Sequence, residues 1–138
     1  MHAKNTTHTS QPRGQSLVEF ALVLPVLLLL ILGAMDFARM FSTKVTLTNA
    51  AREGANYLSR HPDQYPNTTK TELIIDNEAT DLLAFTKSIT CTNACEKGDT
   101  TIVTLTSEVD LIFSGFLQTF GITDNSITLS STVEMMVQ

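Results

Sequence analysis

Little in this chain is suited to chemistry at a site. Its six glycines are scattered, so no glycine-rich loop is available to cradle phosphate. Beyond the first fourteen residues His61 is the lone histidine, and the two cysteines, Cys91 and Cys95, lack the two further ligands of a zinc site. No nucleophile–base pair appears, and the acids Asp76, Glu78 and Asp81 read as a solvated helix face. An enzyme is therefore not expected, nor a cofactor, nor a bound metal. Basic residues are also few: nine Lys and Arg stand against fourteen Asp and Glu, a net charge of −5, with no basic cluster able to track phosphates. Nucleic acid is not expected as a partner.

What the chain does have is one long apolar run. Phe20 to Met35 is sixteen residues without a charge, and Leu17 extends it to nineteen if Glu19 is tolerated. A nineteen-residue helix spans roughly 28 Å, close to the hydrocarbon thickness of a bilayer. The run outlasts a secretory h-region, no A-x-A cleavage site follows it, and "MDFARMF" continues a helical pattern. A retained membrane helix is expected. Residues 1–14, "MHAKNTTHTSQPRG", are polar and unpatterned, hold Lys4 and Arg13 and no acid, and read as disordered. Everything after Gly14 carries −7. The basic tip favours a cytoplasmic N-terminus, although Arg39, Lys44 and Arg52 lie within reach of the other end and weaken the rule.

One long helix is predicted from Gln15 to about Arg60, where Pro62 and Pro66 in "HPDQYPNTT" stop it. Pro25, inside the apolar run, removes one backbone hydrogen bond and predicts a kink or loosening. Past the run, Phe37, Met40, Leu47, Ala51, Ala55 and Leu58 form an apolar stripe interrupted by Lys44. Ala34 and Ala38, then Ala50 with Gly54 and Ala51 with Ala55, are four apart; in lipid that spacing permits close helix contact. Outside lipid, the 50–55 set reads more simply as helix under a sheet, with Arg52 and Glu53 solvated or, for Arg52, paired with an acid of the globular part.

A second helix is predicted from about Thr69 to Phe85, with Leu73, Ile74, Leu82, Leu83 and Phe85 in register. The period then changes to two in "SITC", "TTIVTLTSEV" and "SITLSSTVEMMV", which predict a small three-stranded antiparallel sheet packed on the long helix. Between the last two strands, "DLIFSGFLQTFG" is too apolar for an idle loop. It reads as a short helix capped by Asp110 that closes the core, with a subunit contact surface as the alternative. Cys91 and Cys95 flank three polar or small residues. A hairpin there brings them within disulfide reach, with buried free thiols the alternative. The class is α+β, organised as residues 1–14, a membrane helix over 15–36 and an extracytoplasmic domain over 37–138.

Glu19 is the anomaly. A carboxylate in the bilayer costs about 2.5–3.5 kcal/mol at mid-depth, and less near the interface, where it can snorkel to headgroups. Cleavage after Gly14 would create a cation beside it, the α-amino group of Gln15. The motif "G-QSLVEF" with its apolar helix resembles the prepilin-peptidase signal of type IV pilins and pseudopilins, matched at Gly14, Glu19 and Phe20. The continuation through "LVEFALVLPVLLLLILGAMDFARMF" and "NAAREGANYL" is similar to the TadE-like proteins of tight-adherence (Flp) pilus systems.

That resemblance covers roughly residues 13–60. It implies a prepilin peptidase that cuts between Gly14 and Gln15, and a minor pseudopilin with a structural part in assembling the pilus. It implies partners among other pilins, pseudopilins and assembly proteins. The location implied is the bacterial inner membrane, single-pass, with the C-terminal domain outside the cytoplasm and possible entry into the pilus. Glu19 would pair with the N-terminal amine of a neighbouring subunit. The other reading is an unprocessed single-span protein whose outer domain binds an envelope or surface partner.

Overall fold

The computed structural model describes residues 14–118, 121 and 125–138. The polar stretch expected to precede the helix lies outside these residues as far as position 13. The fold is α+β, as the periodicities predict. The long helix α1 runs Gln15–Arg60 without interruption, through Pro25. Its end is set by Pro62: His61 leaves the helical region at φ −129°, and its N–H closes the last turn on the carbonyls of Tyr57 and Leu58. Arg60 in that turn complements the negative end of the helix dipole.

A short 3₁₀ turn, Pro62–Gln64, leads to α2, Thr69–Glu78. This helix stops seven residues short of the predicted Phe85. The Thr80 hydroxyl donates to the Asn77 carbonyl at 2.6 Å, an acceptor that a further helical turn would use. The carboxylates of Asp76 and Glu78 also crowd the negative end of the helix dipole. Leu82 and Phe85 still reach the core, but from irregular chain. Asp76 is not merely solvated: both its oxygens accept from Lys87 Nζ, at 2.6 and 2.8 Å, tying α2 to the first strand.

The sheet has three antiparallel strands in sequential order, β1 (Thr86–Cys91), β2 (Thr100–Asp110) and β3 (Ser126–Met136). Register places Ile89, Val103 and Val133 side by side across it. The central strand buries every second residue from Thr101 to Val109, the face laid on α1. The core joins Leu47, Ala50, Ala51 and Ala55 of α1 with Ile75 and Ala79 and with Val103 and Leu105. Small residues at 50, 51, 54 and 55 therefore serve close packing beneath the sheet and α2. At Gly54 an added Cβ would lie 2.7 Å from both Cγ1 and Cδ1 of Ile75, so α2 approaches closer than any side chain allows.

The strands lie along the helix. Arg39 Nη1 donates to the Asp110 carbonyl at one end (3.3 Å), and Gln138 N–H donates to the Ser59 carbonyl at the other (3.1 Å). Between them Lys44 Nζ donates to the Ser130 carbonyl, and the Thr48 and Ser131 hydroxyls meet at 3.1 Å. Lys44 thus interrupts the apolar stripe because it serves the edge strand β3. Twenty helical residues rise about 30 Å, and an eleven-residue strand extends about 33 Å, so sheet and outer half-helix match in length.

Candidate functional site

The first turn of α1 carries the residues singled out by the motif. Gly14 is the N-cap and has no side-chain partner to offer; its carbonyl already accepts the Val18 N–H at 3.2 Å. A Cβ added at Gly14 would meet nothing within 4 Å, so no neighbour among the described residues requires glycine there. Glu19 is exposed and makes no ion pair among the described residues. Phe20 beside it is 63% exposed. The helix turn brings Gln15 and Glu19 to one face, about 6 Å apart along the axis.

Between Gln15 and Met35 no side chain is buried, and the most apolar eighteen-residue window has no buried share at all. This is the one helix among the described residues long and apolar enough to cross a membrane. Its surface of exposed Leu, Val, Ile and Phe marks membrane anchoring. Glu19 and, seventeen residues later, Asp36 are the acids that bracket it.

Asp36 is the residue that sequence reasoning missed. The sequence pattern puts it at the last position of the span, with Phe37 heading the buried stripe and Asp110 capping the segment after β2. In the structure Phe37 is 66% exposed and stacks on Phe41, rings 6.4 Å apart, on the side away from the sheet. The buried stripe begins instead at Asp36, which is 4% exposed. Its Oδ1 accepts the Ile112 N–H at 2.9 Å and its Oδ2 the Phe113 N–H at 2.8 Å. These are the first amides of a compact turn that continues as α3, Ser114–Leu117. A carboxylate from the long helix therefore caps this segment; among the described residues the Asp110 side chain does not cap it, and its backbone carbonyl accepts from Arg39. Arg39 also lies 3.9 Å from Asp36 Oδ1. Within it Ile112 is 45% exposed and Phe116 37%, while Leu111 and Phe113 are half-buried; the side chain of Leu117, and Thr119 and Phe120, on which the core-closing expectation also falls, lie outside the described residues. One sequence signal could have pointed here, a lone acid directly after a charge-free run, facing the same side as Met40 and Leu47.

At the far end, Cys91 and Cys95 form a disulfide with Cα atoms 5.3 Å apart. They do not face each other across strands, since Cys91 pairs with Thr101. The bond closes a small ring inside the β1–β2 connection, where Asn93 and Cys95 take φ of 53° and 64°. Cys95 is buried against Leu58 and Val137, so the ring plugs the distal core. No group of three or more His, Cys, Asp or Glu among the described residues is placed to hold a metal.

The family model of the TadE-like proteins matches residues 14–56. That stretch includes Gly14, Glu19, the whole exposed span and most of the buried outer half of α1, and it stops short of α2 and the sheet. No curated protein and no solved structure matches the chain.

Proposed function

Taking the TadE-like stretch as the premise, we propose that the chain is a minor pseudopilin of a tight-adherence pilus, processed by a prepilin peptidase between Gly14 and Gln15. The family match and the exposed apolar helix support a Tad-pilus-associated protein anchored in a membrane. The finer role rests on one observation: Glu19 has no ion-pair partner among the described residues, on an exposed apolar helix one turn from the bond whose hydrolysis would release an amine.

The chemistry is consistent at each step. The Gly14 carbonyl is engaged in the first helical turn, so a peptidase must open that turn to polarise it, and a capless N-terminus resists little. Glycine at the cleaved position answers to the peptidase, because the described residues leave space for a larger side chain there. The new α-amine of one subunit then reaches Glu19 of a neighbour displaced by about 6 Å along the axis. Any other register leaves two charges unpaired in lipid, which makes the pair a selector of register more than a source of affinity. The N-terminus lies in the cytoplasm in this reading, and the domain beyond Asp36 lies outside it. The Cys91–Cys95 bond supports that side, since structural disulfides persist in oxidising compartments.

Intact mass of the membrane-extracted protein, from a host carrying a prepilin peptidase, tests the reading. Loss of residues 1–14 supports it, and a chain still full length reduces the protein to a single-span anchor with a tethered domain. Gly14→Ala should slow the cut without unfolding anything. Glu19→Gln should insert at least as well yet fail to support piliation; normal pili from that variant would remove the charge-pairing role.

A further inference from the structure

We propose that the turn following β2, around Ile112 and Phe116, is a second membrane contact: an in-plane apolar wedge seated in the outer interface of the bilayer. The inference rests on α1 being the membrane anchor and adds a lipid-facing surface to the outer domain. Three observations carry it. Height comes first. Leu17 to Asp36 rises roughly 28 Å, a hydrocarbon thickness, so Asp36 lies where the bilayer core ends. The turn is held at that height, because the amides of Ile112 and Phe113 bond the Asp36 carboxylate at 2.9 and 2.8 Å. Composition comes second. Ile112 is 45% and Phe116 37% exposed, with the Phe113 ring 5.6 Å from that of Phe116, and among the described residues neither core cluster includes these three.

Continuity is third. The apolar surface of α1 stays exposed through Phe37, so the lipid-facing character of the helix persists up to the height of the turn. Within the span the best-shielded side chains, Leu29 and Leu32, lie on the face that Asp36 heads. The polar groups at this level suit an interface. The Asp36 carboxylate is spent on two backbone amides, and Arg39, half exposed and one turn farther out, stands at headgroup depth. Together the helix and the wedge give the outer domain two points of attachment and fix its orientation about the membrane normal.

The chain has no tryptophan, so single substitutions report depth directly. Full-length Ile112→Trp, Leu27→Trp and Leu73→Trp are placed in phosphatidylcholine vesicles carrying a spin label either high on the acyl chain or at its end. Ile112→Trp should lose roughly half its emission to the high label and little to the deep one, as an interfacial indole does. Leu27→Trp should show the reverse, and Leu73→Trp, on α2, should respond to neither. Asp36→Ala in the Ile112→Trp background should abolish the quenching; unchanged quenching would overturn the positioning role of Asp36.

An Ile112→Trp that behaves like Leu73→Trp, while Leu27→Trp is quenched, refutes the wedge and leaves the anchor standing. Unquenched Leu27→Trp brings down both. A blue-shifted but unquenched Ile112→Trp means another protein surface, such as a second copy, covers the turn, and the lipid assignment fails. The unsubstituted protein supplies an independent check: photoactivatable phosphatidylcholine should leave adducts on the peptide spanning Ile112–Phe116, and none there would refute the contact.

Discussion

Gly54→Ala is the sharpest probe of how the outer half of α1 is packed. In an ordinary helix interior the change stabilises by about 1 kcal/mol, because alanine loses less backbone entropy. Here the new methyl would stand 2.7 Å from Cγ1 and Cδ1 of Ile75 and 3.7 Å from Cγ2 of Thr71. Carbon atoms pack at about 3.5–4.0 Å, so Ile75 has to retreat by about 1 Å. It has no room to do so by rotation: it is fully buried, and a β-branched side chain in a helix has essentially one χ1 well. The displacement therefore falls on α2 as a whole, and overpacking of this kind costs about 1–3 kcal/mol.

The balance is a net loss of about 0–2 kcal/mol where an open helix would gain. The guanidinium midpoint of the full-length protein in detergent measures it. The decisive form is a double-mutant cycle with Ile75→Ala. That substitution alone should cost about 2–5 kcal/mol, and roughly 1–2 kcal/mol less when the Gly54→Ala methyl occupies the vacated space. A Gly54→Ala protein that is more stable than the parent, with no coupling to Ile75, would refute the close approach of α1 and α2.

Three further outcomes follow from the same structure. Thr71 is fully buried with its hydroxyl unpartnered among the described residues, so Thr71→Val should raise stability by about 1 kcal/mol in the same unfolding assay. Asp36→Asn keeps one acceptor but turns an amide donor toward an N–H. The Ile112 and Phe113 amides should lose about 1.5–3 kcal/mol of protection and exchange on the order of 10- to 100-fold faster by mass spectrometry. Replacing Cys91 and Cys95 together by serine opens a very short ring and should lower stability by roughly 2 kcal/mol. Melting curves with and without reductant should then coincide for that variant and differ for the parent.

How much of this was legible beforehand depended on the range of the signal. The helix from Gln15 to Arg60 and the strands were readable because each is written locally, in apolar run, proline punctuation or alternation. The end of α2 was not, since Leu82 and Phe85 keep helical spacing while reaching the core from irregular chain. Asp36 was hidden for a different reason. Its partners lie 76 and 77 residues away, and capping rules look only at neighbours in sequence, so they point to Asp110 as the cap. Phe37 followed the same error, because hydrophobicity placed it inward when a carboxylate one residue earlier owned that face. The motif at Gly14, Glu19 and Phe20 was readable as sequence, but that no neighbour among the described residues demands glycine at position 14 needed coordinates.

The alignment of β2 and β3 with α1 has a mechanical consequence. A pull on the domain beyond Asp36 directed along the helix axis acts parallel to the whole seam from Arg39 to Ser59. Such a load slides the two layers past each other and must break the seam's bonds together, whereas a sheet laid crosswise would peel away one row at a time. A protein built this way can be tugged by its far tip and hand the force intact to the helix beneath.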